Sequence, residues 1–193
     1  MTSPNGNAGA LSLGTGKLYW APLGTSLPAD LADALNDAFK LVGYTEEGST
    51  FNYSVSTEPV EVAEEYDRVM TKTTGREGTV EFAMAENTVR NLTLAFNGGT
   101  VTRTTSGAVK YTPPAPGTEV RRVLVWESED GQERWVYPQC FQGGSVSMAR
   151  RKGATKTTIS VAFSLEKPAA GGDVFEAYYA DERDGDSGVA PAA

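Results

Sequence analysis

The 193 residues carry a formal net charge of -8, no histidine, 39% hydrophobic residues, 21 Gly and 10 Pro. A chain of this size fits one domain, and its Gly and Pro content favours turns, hence strands over helices. The acidic balance argues against a protein that grips nucleic acid, because phosphate binding needs a basic footprint; the missing histidine removes the commonest general base and metal ligand, so neither catalysis nor a cofactor is expected.

Residues 1–16 are uncharged and rich in Gly, Ser, Thr and Asn. Such a stretch cannot bury enough apolar surface to fold alone and is expected to form an N-terminal arm. It lacks the positive and apolar regions of a signal peptide, and no uncharged run in the chain approaches the length of a membrane span. The main domain is expected over 17–180, beginning with a strand near 17–21. Pro28 can open a helix whose apolar side is Leu31, Leu35, Ala38 and Phe39, with Asp30 and Asp33 favouring its N-terminal half. A strand near 39–44 follows. Phe51, Tyr53 and Val55 alternate with Asn52, Ser54 and Ser56, the period of a half-buried strand.

The stretch 56–78 is too polar for core and too long for a turn, so it is expected to be a projecting loop or an extended hairpin. Val80, Phe82 and Met84 then alternate with Glu81 and Ala83 as a strand. Asn87 is a good N-cap for a second helix through Val89, Leu92 and Phe96, stopped at Asn97, Gly98 and Gly99. A strand is expected near 101–105. The apolar runs 123–126 and 134–137 flank Asp130-Gly131 and predict a β-hairpin. Gly143 and Gly144 predict a bulge or sharp bend before Val146 and Met148 resume the pattern. Ile159, Val161, Phe163 and Leu165 alternate with Ser160, Ala162, Ser164 and Glu166 and form the clearest strand, followed by another near 174–179. Residues 181–193 start with an acidic run and continue in small residues, the composition of a flexible C-terminal tail. The expected fold is mostly β: an antiparallel sandwich or incomplete barrel with one or two short helices, a long inter-strand loop and extended arms at both ends.

Charge is segregated along the chain. Between 45 and 67 there are seven acidic residues, Glu46, Glu47, Glu58, Glu61, Glu64, Glu65 and Asp67, and no Lys or Arg. The sign then reverses at Arg68, Lys72 and Arg76. No alternating Asp/Asn run with a central Gly suggests a calcium loop, and a loop so polar offers no apolar pocket to raise a catalytic carboxyl. A second cluster, Arg150, Arg151, Lys152 and Lys156, is basic but has no interleaved aromatic for base stacking. Solvated surface charge accounts for both clusters; so does pairing of the acidic stretch with the basic one on another copy, a head-to-tail contact that generates rings or filaments.

Cys140, the single cysteine, excludes a disulfide framework, suits a reducing cytoplasm and reads as a small buried hydrophobe. Ser147 and Ser164 have no histidine partner, which excludes the familiar hydrolytic triad. Trp20, Trp126 and Trp135 are either core or, if exposed, stacking surfaces for a sugar; the latter is the basis of an alternative reading as a carbohydrate-binding or virion decoration domain.

The run over 43–54, Gly-Tyr-Thr-Glu-Glu-Gly-Ser-Thr-Phe-Asn-Tyr-Ser, resembles a segment of the major tail tube proteins of bacteriophages with long non-contractile tails: a strand, an acidic Gly-containing turn and an alternating aromatic strand. The resemblance continues through an acidic extended loop at 56–67, a Thr- and Arg-bearing return strand at 71–76, a strand at 79–86 and a helix at 87–96. It implies a non-enzymatic structural subunit whose edges join in hexameric rings stacked as a hollow tube, located in the virion tail and made in the bacterial cytoplasm. It implies tape-measure, tail-terminator and baseplate or tip proteins as partners, and viral DNA that passes through the lumen without specific binding. The long loop and terminal arms would bridge subunits, which makes Glu58, Glu61, Glu64, Glu65, Asp67, Arg68, Lys72, Arg76, Arg150, Arg151 and Lys152 the expected self-assembly residues.

Overall fold

The structure, a computed structural model, describes residues 10–150, 152–153 and 155–180. The expected tail at 181–193, most of the N-terminal arm and Arg151 lie outside the described residues. Among the described residues eleven strands and one helix follow in chain order: β1 (Lys17–Pro22), β2 (Lys40–Leu41), β3 (Thr45–Val60), β4 (Met70–Met84), α1 (Val89–Ala95), β5 (Thr100–Arg103), β6 (Val109–Thr112), β7 (Arg122–Glu127), β8 (Glu133–Gln142), β9 (Ser147–Met148), β10 (Ile159–Leu165) and β11 (Glu176–Tyr179). Nine strands form one antiparallel sheet in the order β2-β1-β7-β8-β10-β4-β3, with β11 added to β8 and β9 to β10; β5 and β6 form a separate hairpin. The sheet is not closed into a barrel and wraps around one main core, as a sandwich does.

The wrapping is centred on β8. On one side β8 pairs with β7 along its length; on the other its first half pairs with β11 and its last residues with β10. The ladder to β7 slips between Arg122↔Cys140 and Leu124↔Tyr137, so β8 holds one residue more than β7 there. Pro138, which has no N–H to give to a ladder, sits in this bulge, and bulges bend strands. The link between the sheet's two edge strands, residues 42–44, is held on both sides: Val42 N–H donates to Leu18 O at 2.8 Å and Ala85 N–H donates to Tyr44 O at 2.8 Å.

Inside the fold, Leu18, Trp20, Val80, Phe82, Met84, Leu124, Tyr137, Cys140, Ile159, Val161 and Phe163 make the main core. The rings of Phe82 and Phe163 stack at 5.7 Å. β10 realises its alternation: Ile159, Val161 and Phe163 are buried and the residues between them are not. β7 does not alternate, because Val123, Leu124 and Val125 are all buried. A strand reads this way when both faces are covered. The second face, carrying Ala21, Val123, Val125 and Val136, is covered by Phe39, Leu27 and Leu35.

Leu35 and Phe39 come from the segment expected to be a helix around 31–39, and Leu27 from just before it; the segment is irregular instead. Asp33 accepts from Ala29 N–H, Asp30 from Leu31 N–H, and Asn36 from Ala38 N–H through their side chains. Asp and Asn side chains compete in this way with the helical ladder, so the apolar positions reach the sheet without a helix. The second expected helix is present as α1. Its N-cap is Thr88 and not Asn87: the Thr88 hydroxyl accepts from Asn91 N–H at 3.2 Å. Asn97 ends it in the left-handed region at φ 53°. Its side-chain amide then pairs with the backbone of Gln142, donating at 2.7 Å and accepting at 3.0 Å, and so ties the helix end to β8. Gly143 and Gly144 form the bend after β8, where a Cβ on Gly144 would lie 3.1 Å from Ala162 Cβ.

Candidate assembly surfaces

Phe51 and Val80 face each other across β3 and β4 and still touch the core. Beyond them the two strands leave the body together. From Tyr53 to Val60 and back from Met70 to Glu77, nearly every residue is exposed, on both faces of the ribbon. The free part is eight residues long on β3, which at ~3.3 Å per residue extends roughly 25 Å. The expected projection at 56–78 is therefore an extended hairpin, with only residues 61–69 as connecting loop. Its strands are built on Thr57, Thr71, Thr73, Thr74, Val55 and Val60, β-branched residues that favour extended backbone without a core. A register shift between Ser56 and Thr57 places a bulge midway along the ribbon.

The ribbon is fixed where it leaves the body. Phe175 packs edge-on against Phe51 at 5.2 Å and Tyr53 at 5.5 Å, and Trp135 lies 5.2 Å from Phe51 and 5.6 Å from Phe175. Gly78 completes the base: a Cβ there would lie 2.7 Å from Leu165 Cδ1. Farther out, Val55, Val62, Tyr66, Val69 and Met70 are all exposed. A lone two-stranded ribbon is marginal in water, and this one displays apolar side chains that the other described residues do not cover.

Of the expected assembly residues, Glu58, Lys72 and Arg76 sit on the ribbon strands, with Glu58 opposite Lys72 in the register. Glu61, Glu64, Glu65, Asp67 and Arg68 crowd the tip. Among the described residues none of these eight makes an ion pair. Arg150 and Lys152 are exposed in the connection between β9 and β10, away from any strand. The hairpin thus gathers eight of the eleven residues and leaves the basic group on a separate loop. Lys156 behaves differently from its cluster, because it pairs with Glu46 of its own chain at 2.7 Å. The residues missed in the sequence are the exposed apolar ones at the tip; their signal is Val62, Tyr66, Val69 and Met70 standing in a run of charge.

The three tryptophans are occupied. Trp20 is buried, and Trp126 and Trp135 pack against the main core. Trp126 Nε1 donates to Thr15 O at 3.0 Å and Trp135 Nε1 to Glu133 Oε1 at 2.6 Å. Burial pushes the Cys140 thiol up, so it stays protonated and inert, as a small core residue. Glu166 accepts from Arg121 at 2.9 Å and Gln139 at 2.8 Å, and these two bonds, Arg121 first, hold its carboxyl below the usual range.

A chain with an open β body and a long exposed hairpin has the features of an assembling subunit. Its sequence matches the family described as "Phage tail tube protein" over residues 3–166, most of the chain. The chain belongs to the phage tail tube protein family. The match ends just past β10, so β11 and the residues that follow lie outside it. No curated protein matches the sequence. The family makes this chain a structural component of a virion tail, one that associates with its own copies to form a tube.

Proposed function

We propose that this tail tube subunit builds the conduit of a long non-contractile phage tail, in hexameric rings that stack and deliver the genome. The observation that carries the reading is the ribbon of β3 and β4, exposed on both faces with uncovered apolar residues at its tip. In a tube such a ribbon reaches a neighbouring copy, where Val62, Tyr66, Val69 and Met70 gain the burial that the described residues of their own chain do not provide. The outer edge of β3 supports lateral joining, since among the described residues it pairs only with β4. Closing edges around a ring removes the exposed ladder that makes a lone edge strand prone to aggregation. Glu58, Glu61, Glu64, Glu65 and Asp67 on the ribbon are complementary to Arg150, Arg151 and Lys152 of the next copy, with Arg68, Lys72 and Arg76 setting the register. The arms at 1–16 and 181–193 bridge successive rings. Partners in the tail are tape-measure, terminator and baseplate or tip proteins, and synthesis takes place in the host cytoplasm.

Two experiments test the reading. Purified wild-type chain forms rings and tubes in negative-stain micrographs, whereas a variant with residues 56–75 replaced by a tight turn is a monomer with an unchanged Tm. Tubes from the shortened chain, or loss of its fold, would refute the role given to the ribbon. Reversing Glu58, Glu61, Glu64 and Glu65 to Lys stops assembly, and mixing with a chain in which Arg150, Arg151 and Lys152 are Glu restores it. Failure of the mixture to assemble breaks the proposed charge pairing.

A further inference from the structure

Arg121 and Arg122 are neighbours at the start of β7 with different surroundings. Arg121 pairs with Glu166 at 2.9 Å. Arg122 makes no ion pair among the described residues. It is half-buried, and its guanidinium stands 4.9 Å over the ring of Trp20, at the rim of the main core. Each of the two side chains buries a donor that has no acceptor among the described residues: Nε of Arg122 and Nε1 of Trp20. The other two indoles are served, Trp126 by Thr15 O and Trp135 by Glu133.

Trp and Arg side chains donate and never accept, so what completes this pair is an acceptor. A buried cation also calls for opposite charge, and burial already pulls the Arg122 guanidinium below its ordinary pKa. A carboxylate answers both needs, since its two oxygens can take several N–H bonds at once. Glu166, the carboxylate just past β10, is already engaged by Arg121 and Gln139.

The sequence carries an acidic run at Asp181, Glu182, Asp184 and Asp186. It begins at the opposite end of the body. Tyr179 pairs with Glu133, and Ala180 N–H donates to Gln132 O at 3.0 Å, so the last described residues leave beside the turn between β7 and β8. Arg122 lies opposite Pro22 and Cys140 at the other end of β7, roughly 20 Å away at ~3.3 Å per residue. Glu129 and Asp130 stand in that turn, and like charge drives the run away from its own exit. Opposite ends of one body meet when copies repeat head-to-tail.

We propose that Arg122 and Trp20 form a carboxylate-binding site that takes the acidic run at 181–186 from the next copy in the stack. The inference rests on the reading of the C-terminal arm as a bridge between rings, and it names what the arm binds. The guanidinium and the indole N–H donate to the incoming oxygens, while the Trp20 ring keeps the guanidinium in place.

The test follows the indole N–H resonances of isotope-labelled, unassembled full chain carrying Asp181→Asn, Glu182→Gln, Asp184→Asn and Asp186→Asn, titrated with a peptide of residues 180–187. The Trp20 resonance is expected to shift while those of Trp126 and Trp135 stay in place. Arg122→Gln should weaken the peptide about tenfold or more. Arg122→Lys, which keeps the charge and lacks the Nε donor, should fall between the two and carries the test if Arg122→Gln does not fold. A Trp20 resonance that stays still, or an affinity unchanged in the Arg122 variants, overturns the proposal. So does an equal shift from acetate at matched carboxylate concentration, which makes the site a general anion pocket. Wild-type chain diluted below assembly should show Trp20 where the neutralised chain does; a resonance already shifted there gives the site to the chain's own tail and overturns the pairing between copies. The neutralised chain should form fewer tubes in sedimentation, and an unchanged yield overturns the bridging role. Absence of tubes from the wild-type chain instead refutes the tube reading, while the peptide titration still decides the site.

Discussion

The half of the sheet built from β1, β7, β11 and the start of β8 is packed on both faces, whereas the half built from β10, β4 and β3 is packed on one and then runs out into solvent. Each half uses the same antiparallel ladder. What separates them is where the side chains find apolar partners. The first half satisfies its apolar side chains within its own chain. The second keeps one apolar face for the core, while among the described residues the outer edge of β3 has no strand partner and the ribbon is exposed. Under the proposed function, folding and assembly are divided between two parts of one sheet.

Mutations sharpen this contrast, and the largest effect lies where the halves meet. Phe163 is fully buried against Phe82. Phe163→Ala should cost about 3–5 kcal/mol in urea unfolding, through lost burial and the cavity left behind; a cost under about 1 kcal/mol would show a core that collapses freely. Asn97→Ala comes next. It removes two bonds to the Gln142 backbone and puts alanine at φ 53°. A loss of about 2–3 kcal/mol is expected, because a buried backbone pair is left unsatisfied.

Glu166 gives a smaller, pH-dependent effect. Its carboxyl is held below the ordinary value near 4.5 by Arg121 and then Gln139. A depressed carboxylate adds stability above its unfolded pKa and loses it as pH falls through the folded value. Wild type should therefore exceed Glu166→Gln in Tm at neutral pH, with the gap closing in acid; the site is partly solvated, so the gap is modest. A gap that widens in acid would contradict the assignment. The smallest effect on folding is expected on the ribbon. Tyr66→Ser should change unfolding by less than about 0.5 kcal/mol, as exposed positions do, while reducing tube yield in sedimentation. Unchanged yield would separate the apolar tip from assembly.

The contrast also explains what could be read without coordinates. β10, β4 and the hairpin of β7 and β8 were legible because each has a solvated face or a turn dipeptide, which prints a period or a break into the sequence. At the root of the ribbon the alternation of Phe51, Tyr53 and Val55 reads as a strand, although Tyr53 and Val55 are exposed. Farther out both faces are exposed, no apolar alternation arises, and the pattern leaves loop and extended hairpin equally open. The ribbon's Thr and Val content was the remaining signal. The misread helix at 31–39 shows the opposite failure. Leu35 and Phe39 do pack at the expected buried side, but Asp30, Asp33 and Asn36 take up the local N–H groups that a helix would need.

Composition and local pattern alone determined the β class, the inert thiol, the segregation of acidic from basic stretches and the likeness to tail tube subunits. These depend on neighbours in sequence or on totals, which the chain carries before it folds. The tertiary structure decided that Pro138 sits where β8 changes partners, that Lys156 is held by Glu46 while Arg150 and Lys152 make no ion pair among the described residues, and that Leu27, Leu35 and Phe39 cover the second face of β7. Each depends on which distant segment arrives at a given strand, and that is set by the packing of the whole core rather than by any run of residues.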